Sequence, residues 1–214
     1  ITVADDKLGD AGPHNTDGVS IIASEAVRLL DSEIESGDDN VVIKEGSRGI
    51  FAEGLRLRRG KGISIGSLGE RGAEDQVVSD VVFRNVSLQQ CVHGARIKTW
   101  QGGHGLVRNV TFESFRVQSV SIGILIDQTY CPPSQRPEGC ADGGDAAIRI
   151  EGVHFRGFSG TYTKEDRKIL CARCSDVTYD DVQLGRDLSP ALSQFGPQPW
   201  RPSRREPMPG AWRR

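Results

Sequence analysis

The strongest constraint on the fold is a short pattern that returns at a fixed interval. Asp17-Gly18-Val19-Ser20-Ile21-Ile22, Asp39-Asn40-Val41-Val42-Ile43-Lys44 and Lys61-Gly62-Ile63-Ser64-Ile65-Gly66 begin 22 residues apart each time. Each copy is short, rich in β-branched residues and bounded by Gly, Asp or Asn, which predicts strands separated by turns. A period of about 20 to 30 residues with one strand per repeat is the signature of a solenoid. The pattern continues in His93-Gly94-Ala95-Arg96-Ile97-Lys98, in Ile122 to Asp127 and in Ala146 to Ile150. A second family of strands runs between these copies: Val78 to Val86, Val107 to Phe112, Ile150 to Phe155 and Cys174 to Tyr179. One coil cannot bury its own apolar face, so the coils are expected to stack their Val, Ile and Phe side chains into continuous ladders.

Stacking has a chemical consequence. Neighbouring parallel strands lie roughly 4.8 Å apart, so Asp17, Asp39 and Lys61 are expected in one column on one face, with Asp38 beside Asp39. Such crowding of like charges is costly, which makes this column the candidate active site. Arg56, Arg58, Arg59 and Lys61 add a basic edge, read either as a solvated strand border or as a polyanion-binding rim.

Composition supports a turn-rich globular chain. Glycine, 26 of 214 residues, is well above the usual proportion of about 7%. The formal net charge of −2 argues neither for nor against a polyanionic partner; no nucleic-acid or membrane partner is expected, and no stretch approaches the roughly 20 apolar residues of a membrane span. The chain opens at Ile1, within an apparent strand Ile1-Thr2-Val3 and without Met, and reads as a fragment whose early coils are missing. Residues 163–168 are polar and read as a helical turn or a loop. The repeat fades after about residue 184, so 1–184 is expected to be the solenoid, and 185–214 a Pro- and Arg-rich, disordered, solvated tail.

Of the five cysteines, Cys131 with Cys140 and Cys171 with Cys174 read as local disulfides in a secreted chain, leaving Cys91 alone. A redox CxxC and half of a zinc site are the other readings of Cys171 and Cys174. No second ligand pair stands at zinc spacing. The sequons Asn85-Val86-Ser87 and Asn109-Val110-Thr111 look equivalent in successive repeats and point weakly to secretion. His93, His104 and His154 have no metal-ligand spacing and are expected at the surface; no metal and no cofactor are expected.

Four motifs in order carry a resemblance. Asn15-Thr16-Asp17-Gly18, Gly37-Asp38-Asp39, Gly60-Lys61-Gly62 with Ile63 to Gly69, and Arg96-Ile97-Lys98-Thr99-Trp100-Gln101-Gly102-Gly103 resemble the polygalacturonases of glycoside hydrolase family 28, especially the plant-type branch. The likeness extends through Asp127 to Cys131 and Phe158 to Thr161. It implies an all-β, right-handed parallel β-helix, monomeric and secreted, that hydrolyses α-1,4-linked galacturonic acid of pectin with inversion. It also implies roles: Asp38 as general acid, Asp17 and Asp39 activating water, Arg96 and Lys98 gripping a galacturonate carboxylate, Tyr130 lining the cleft and Asn15 bordering it. Glycoside hydrolysis independently requires one protonated and one ionised carboxyl, and clustered carboxylates retain a proton by mutual repulsion.

The chain departs from the family at Lys61, where the family carries His, and at Asn40 and Leu57, where plant-type members carry a cysteine pair. A permanent cation at position 61 opposes protonation of the neighbouring acid. The alternative expectation is therefore a pectin-binding β-helix with weakened catalysis.

Overall fold

A computed structural model describes residues 1, 15–70, 73–131 and 148–188. Its strands are β1 (Val19–Ile21), β2 (Arg28–Leu30), β3 (Glu33–Glu35), β4 (Val41–Ile43), β5 (Ser47–Arg58), β6 (Ile63–Leu68), β7 (Gln76–Gln89), β8 (His93–Thr99), β9 (Gly105–Asp127), β10 (Arg149–Leu170) and β11 (Cys174–Arg186). All pairings are parallel, and consecutive coils stack as the 22-residue interval requires: Val19 opposes Val41, and Val41 opposes Ile63. The fold is the expected right-handed parallel β-helix.

The longest strands are bent rather than straight. Asp80, Asn109 and Asp176 adopt left-handed backbone conformations at equivalent positions of successive coils, in line with Gly49 and Gly152. Five residues on, Gly54, Asn85, Ser114, Gly157 and Asp181 form a second such column. Asn, Asp and Gly tolerate this conformation best, so these columns are the corners of the coil. At Gly54 a Cβ would also press on the Asp31 carboxylate. The corners correct one expectation. Asn109 stands opposite Asp80, donating to its carboxylate at 2.7 Å, while Asn85 stands opposite Ser114. The two sequons therefore sit at different corners, because bends and not Asn-X-Ser/Thr spacing set the register.

Inside the coils the ladders are fully buried. Ile43, Ile65, Ile97 and Ile126 stack in register at 0% exposure, as do Val81, Val110 and Val153. Phe83, Phe112, Phe155 and Tyr179 form a stack with ring centroids 5.5, 5.1 and 5.3 Å apart. Full burial of each of the three Phe rings stabilises the fold by about 1.5–3 kcal/mol, the Tyr179 ring is partly buried, and stacking along the axis fixes the register of neighbouring coils.

Residues 163–168 are strand, not helix or loop: Glu165 opposes Ile122 and Arg167 opposes Ile124. The template strand β9 supplies the backbone partners, and the polar side chains remain largely exposed. Cys171 and Cys174 are joined in a disulfide. Cys91 is buried and free. The expected Cys131–Cys140 pairing involves Cys140, outside the described residues, as are the segment 132–147 and the tail beyond 188. Ile1 hydrogen-bonds through its backbone to Glu33 and Glu35. Among the described residues, no helix is long and apolar enough to cross a membrane.

Candidate active site

The turns that lead into β1, β4 and β6 carry the site. Gly18 N–H donates to the Asp39 carbonyl at 2.9 Å, and Lys61 N–H donates to the Asp38 carbonyl at 2.7 Å, so successive turns hang from one another. The register places Asp17, Asp39 and Lys61 at equivalent positions, as the interval predicts. The carboxylates of Asp17, Asp38 and Asp39 each bring an oxygen within 4.8 Å of the other two.

Asp38 and Asp39 are adjacent in sequence but differ in environment. The Asp38 Oδ1 accepts the Asp39 N–H at 2.9 Å, and its Oδ2 accepts the Asn15 N–H at 3.2 Å and the Lys61 ammonium at 2.7 Å. The Lys61 side chain keeps 37% exposure, so it can swing away into solvent. Asp39 is 2% exposed. Its Oδ1 accepts from Arg96 at 2.6 Å and from the Ser64 hydroxyl at 2.8 Å, and its Oδ2 from Lys98 at 2.9 Å. Arg96 Nε also donates to Ser64 Oγ at 2.9 Å. Burial by itself raises the Asp39 pKa; the Arg96 and Lys98 charges and the Lys98 and Ser64 hydrogen bonds outweigh it and hold the carboxyl below its ordinary value. Asp39 is the fixed anion of the site. Asp17, which is partly exposed, accepts from the Ser20 hydroxyl at 2.8 Å.

Lys61, expected beside the acid Asp38, does pair with it. The expectation for the other two cations changes. Arg96 and Lys98 are not surface cations; they are 7% and 8% exposed and clamp Asp39 from two coils away. Their side chains leave β8 on the face opposite Ala95 and Ile97, which belong to the core. Lys98 Nζ lies 5.3 Å from the centroid of the Tyr130 ring, which meets Trp100 edge-on at 5.9 Å. Burial and the Arg96 charge lower the Lys98 pKa against the opposing pull of Asp39.

Reading by motif missed two residues. Ser64 bridges Asp39 and Arg96. His93 extends the column of Asp17, Asp39 and Lys61 by one coil and is 7% exposed, not at the surface. Its Nδ1 lies 3.3 Å from the Lys61 carbonyl oxygen, which requires a proton on Nδ1. Burial, assisted by Arg96, pushes its pKa down to about 3. The signal for His93 was available: His93-Gly94-Ala95 aligns with Lys61-Gly62-Ile63 in the repeat.

The three carboxylates are close enough to share a divalent cation. Asp38 and Asp39 already accept from an ammonium or a guanidinium group, so a metal would have to displace Lys61, Arg96 or Lys98. The donor set suits acid–base work on a sugar better than metal binding.

Comparisons with known proteins agree with this geometry. The model for glycosyl hydrolases family 28 matches residues 1–194. Polygalacturonase QRT2 of Arabidopsis thaliana is 35% identical over 178 residues, covering 81% of this chain and 39% of that protein. An Arabidopsis exopolygalacturonase, clone GBGA483, is 36% identical over 191 residues, covering 86% and 42%. Endopolygalacturonase I of Stereum purpureum, solved with two galacturonates, superimposes with a TM-score of 0.63 at 26% identity, over 87% of this chain and 56% of that one. Endo-xylogalacturonan hydrolase of Aspergillus tubingensis shares the fold, with a TM-score of 0.72 at 23% identity over 86% and 50%. The chain thus spans about two-fifths of the plant relatives, and the part it spans holds the carboxylate turns and the cationic strand. With the β-helix, the ordered motifs and a family match over most of its length in agreement, this chain belongs to glycosyl hydrolases family 28.

Proposed function

We propose that this chain carries the catalytic centre of a secreted, pectin-degrading glycosidase of the polygalacturonase type. The observation that carries the reading is the cluster of Asp17, Asp38 and Asp39 with Arg96 and Lys98 locked onto its innermost member. Asp38 is the proton donor to the leaving oxygen. It is hydrogen-bonded to the backbone on both oxygens, and Lys61 must release its Oδ2 before a proton can reside there. Asp39 stays ionised and, with Asp17, orients the attacking water. The family's stereochemistry is inverting; the partly exposed carboxylate of Asp17 is the acceptor for the water proton, and Asp39 supports it electrostatically. Arg96 and Lys98 set the Asp39 charge and present positive potential to a galacturonate carboxylate. Tyr130 closes the cleft over Lys98.

The contact between Lys61 and Asp38 is the specific observation behind a second reading, a pectin-binding β-helix with weakened catalysis. One experiment decides between them: hydrolysis of polygalacturonate by the wild type, Asp38→Asn and Lys61→His, with substrate affinity measured separately. On the glycosidase reading Asp38→Asn loses about 10²- to 10⁴-fold in turnover, the usual worth of general acid–base help. Lys61→His gains turnover, because a neutral imidazole removes the fixed charge that competes for the carboxyl proton. Binding without turnover in all three proteins would establish the second reading.

A further inference from the structure

The flank beside the site carries a second set of cationic and polar side chains. Arg56, Ser87, Arg116 and Ser159 stand opposite one another along β5, β7, β9 and β10, and Arg58, Gln89 and Gln118 form a parallel row. Together they line a groove of about 390 Å³ whose lining contains no carboxylate. The alternate residues Leu57, Leu88 and Val117 point inward and are buried, so the polar side chains are held outward by the pleat. Arg58 has a distant partner, Glu33 at 3.7 Å. Among the described residues, Arg56 and Arg116 form no ion pair. The basic edge expected from the sequence is thus divided: Lys61 turns to the acidic cluster, while Arg56 and Arg58 join Arg116 on the neighbouring face. Only Arg59 and Gly60 separate Arg58 from Lys61 in the chain, and Arg59 has the left-handed backbone of a corner.

We propose that this groove is a non-catalytic subsite for an anionic polysaccharide, engaging the carboxylates and hydroxyls of uronate units that lie outside the cleft. The guanidinium rows suit carboxylates by bidentate hydrogen bonding, and the interleaved Ser and Gln side chains offer the donors and acceptors that sugar hydroxyls need. A polymer held at both faces gains avidity, because the second contact is intramolecular. The uronate assignment rests on the proposed pectin substrate; the anion-binding groove itself does not.

The test is binding, not hydrolysis, measured by fluorescence anisotropy of labelled long polygalacturonate and of trigalacturonate with the wild type and the double variant Arg56→Gln/Arg116→Gln. Both arginines are exposed, so the melting temperature serves as a folding control and should not move. The double variant should bind the long polymer about tenfold more weakly, the loss of a charge-assisted contact, and trigalacturonate unchanged. The difference should shrink as salt rises and vanish with fully methyl-esterified pectin. Equal affinity of both proteins for the long polymer would overturn the groove. An equal loss with dextran sulfate would overturn the uronate assignment by showing a generic polyanion patch. A protein that binds through the groove yet cleaves nothing would refute the glycosidase reading and leave the groove intact.

Discussion

His93 should make this protein sensitive to mild acid, and the effect can be isolated. The imidazole is 7% exposed, and burial lowers its pKa from 6.5 to about 3. Between those values the unfolded chain binds a proton that the folded chain does not, so stability rises with pH across this window and falls as pH drops below about 6.5. From pH 7 to pH 4.5 the contribution is two pH units below 6.5 at about 1.36 kcal/mol each, or on the order of 2.7 kcal/mol. Asp39 has a depressed pKa, and its contribution is complete above about 3.9, so it stays constant over this comparison. His93→Gln keeps a donor for the Lys61 carbonyl and removes the titration. Urea unfolding of both proteins at pH 7 and pH 4.5 is the assay. The wild type should lose roughly 1 M more in midpoint than the variant, taking a slope of about 2–3 kcal/mol per molar. If both lose the same amount, His93 is not held neutral in the column and the reasoning fails.

Two further outcomes follow from burial. Arg96→Ala should destabilise the fold by about 3 kcal/mol, because it strips a guanidinium from the buried Asp39; a melt unchanged from wild type would show that Lys98 and Ser64 suffice. Phe112→Ala, in the middle of the aromatic stack, should cost about 3–5 kcal/mol, and chemical denaturation would expose a smaller loss if Phe83 and Phe155 close the gap.

The architecture was legible because its signal is periodic. The 22-residue interval among Val19, Val41 and Ile63 is repeated in the backbone register, and the aliphatic alternation names the core. The corners were harder to read. A left-handed Asp80 or Ser114 looks like any polar strand residue in the sequence, so a bent strand reads as two strands and a sequon can seem to mark the register when it does not. Polar residues 163–168 misled for a related reason: intrinsic β-propensity is weak beside a ready template strand. In the site, the column of Asp17, Asp39 and Lys61 was readable. Side-chain pairing was readable only in part. The family motif set Lys61 against Asp38, but that Arg96 and Lys98 reach back two coils to Asp39 depends on rotamers and burial that spacing does not encode.

That reach changes how the solenoid holds together. Stacked repeats ordinarily interact only with their nearest neighbours, so they can open coil by coil. Asp39, Ser64 and the pair Arg96 and Lys98 belong to three successive coils, and their bonds tie the first directly to the third. Opening the middle coil would break the Ser64 links, and opening either outer one would strand a buried charge. The segment from β4 to β8 should therefore exchange its amide hydrogens as one unit, with coils outside it exchanging sooner. The residues of the candidate site also set the size of the smallest piece of this β-helix that can come apart.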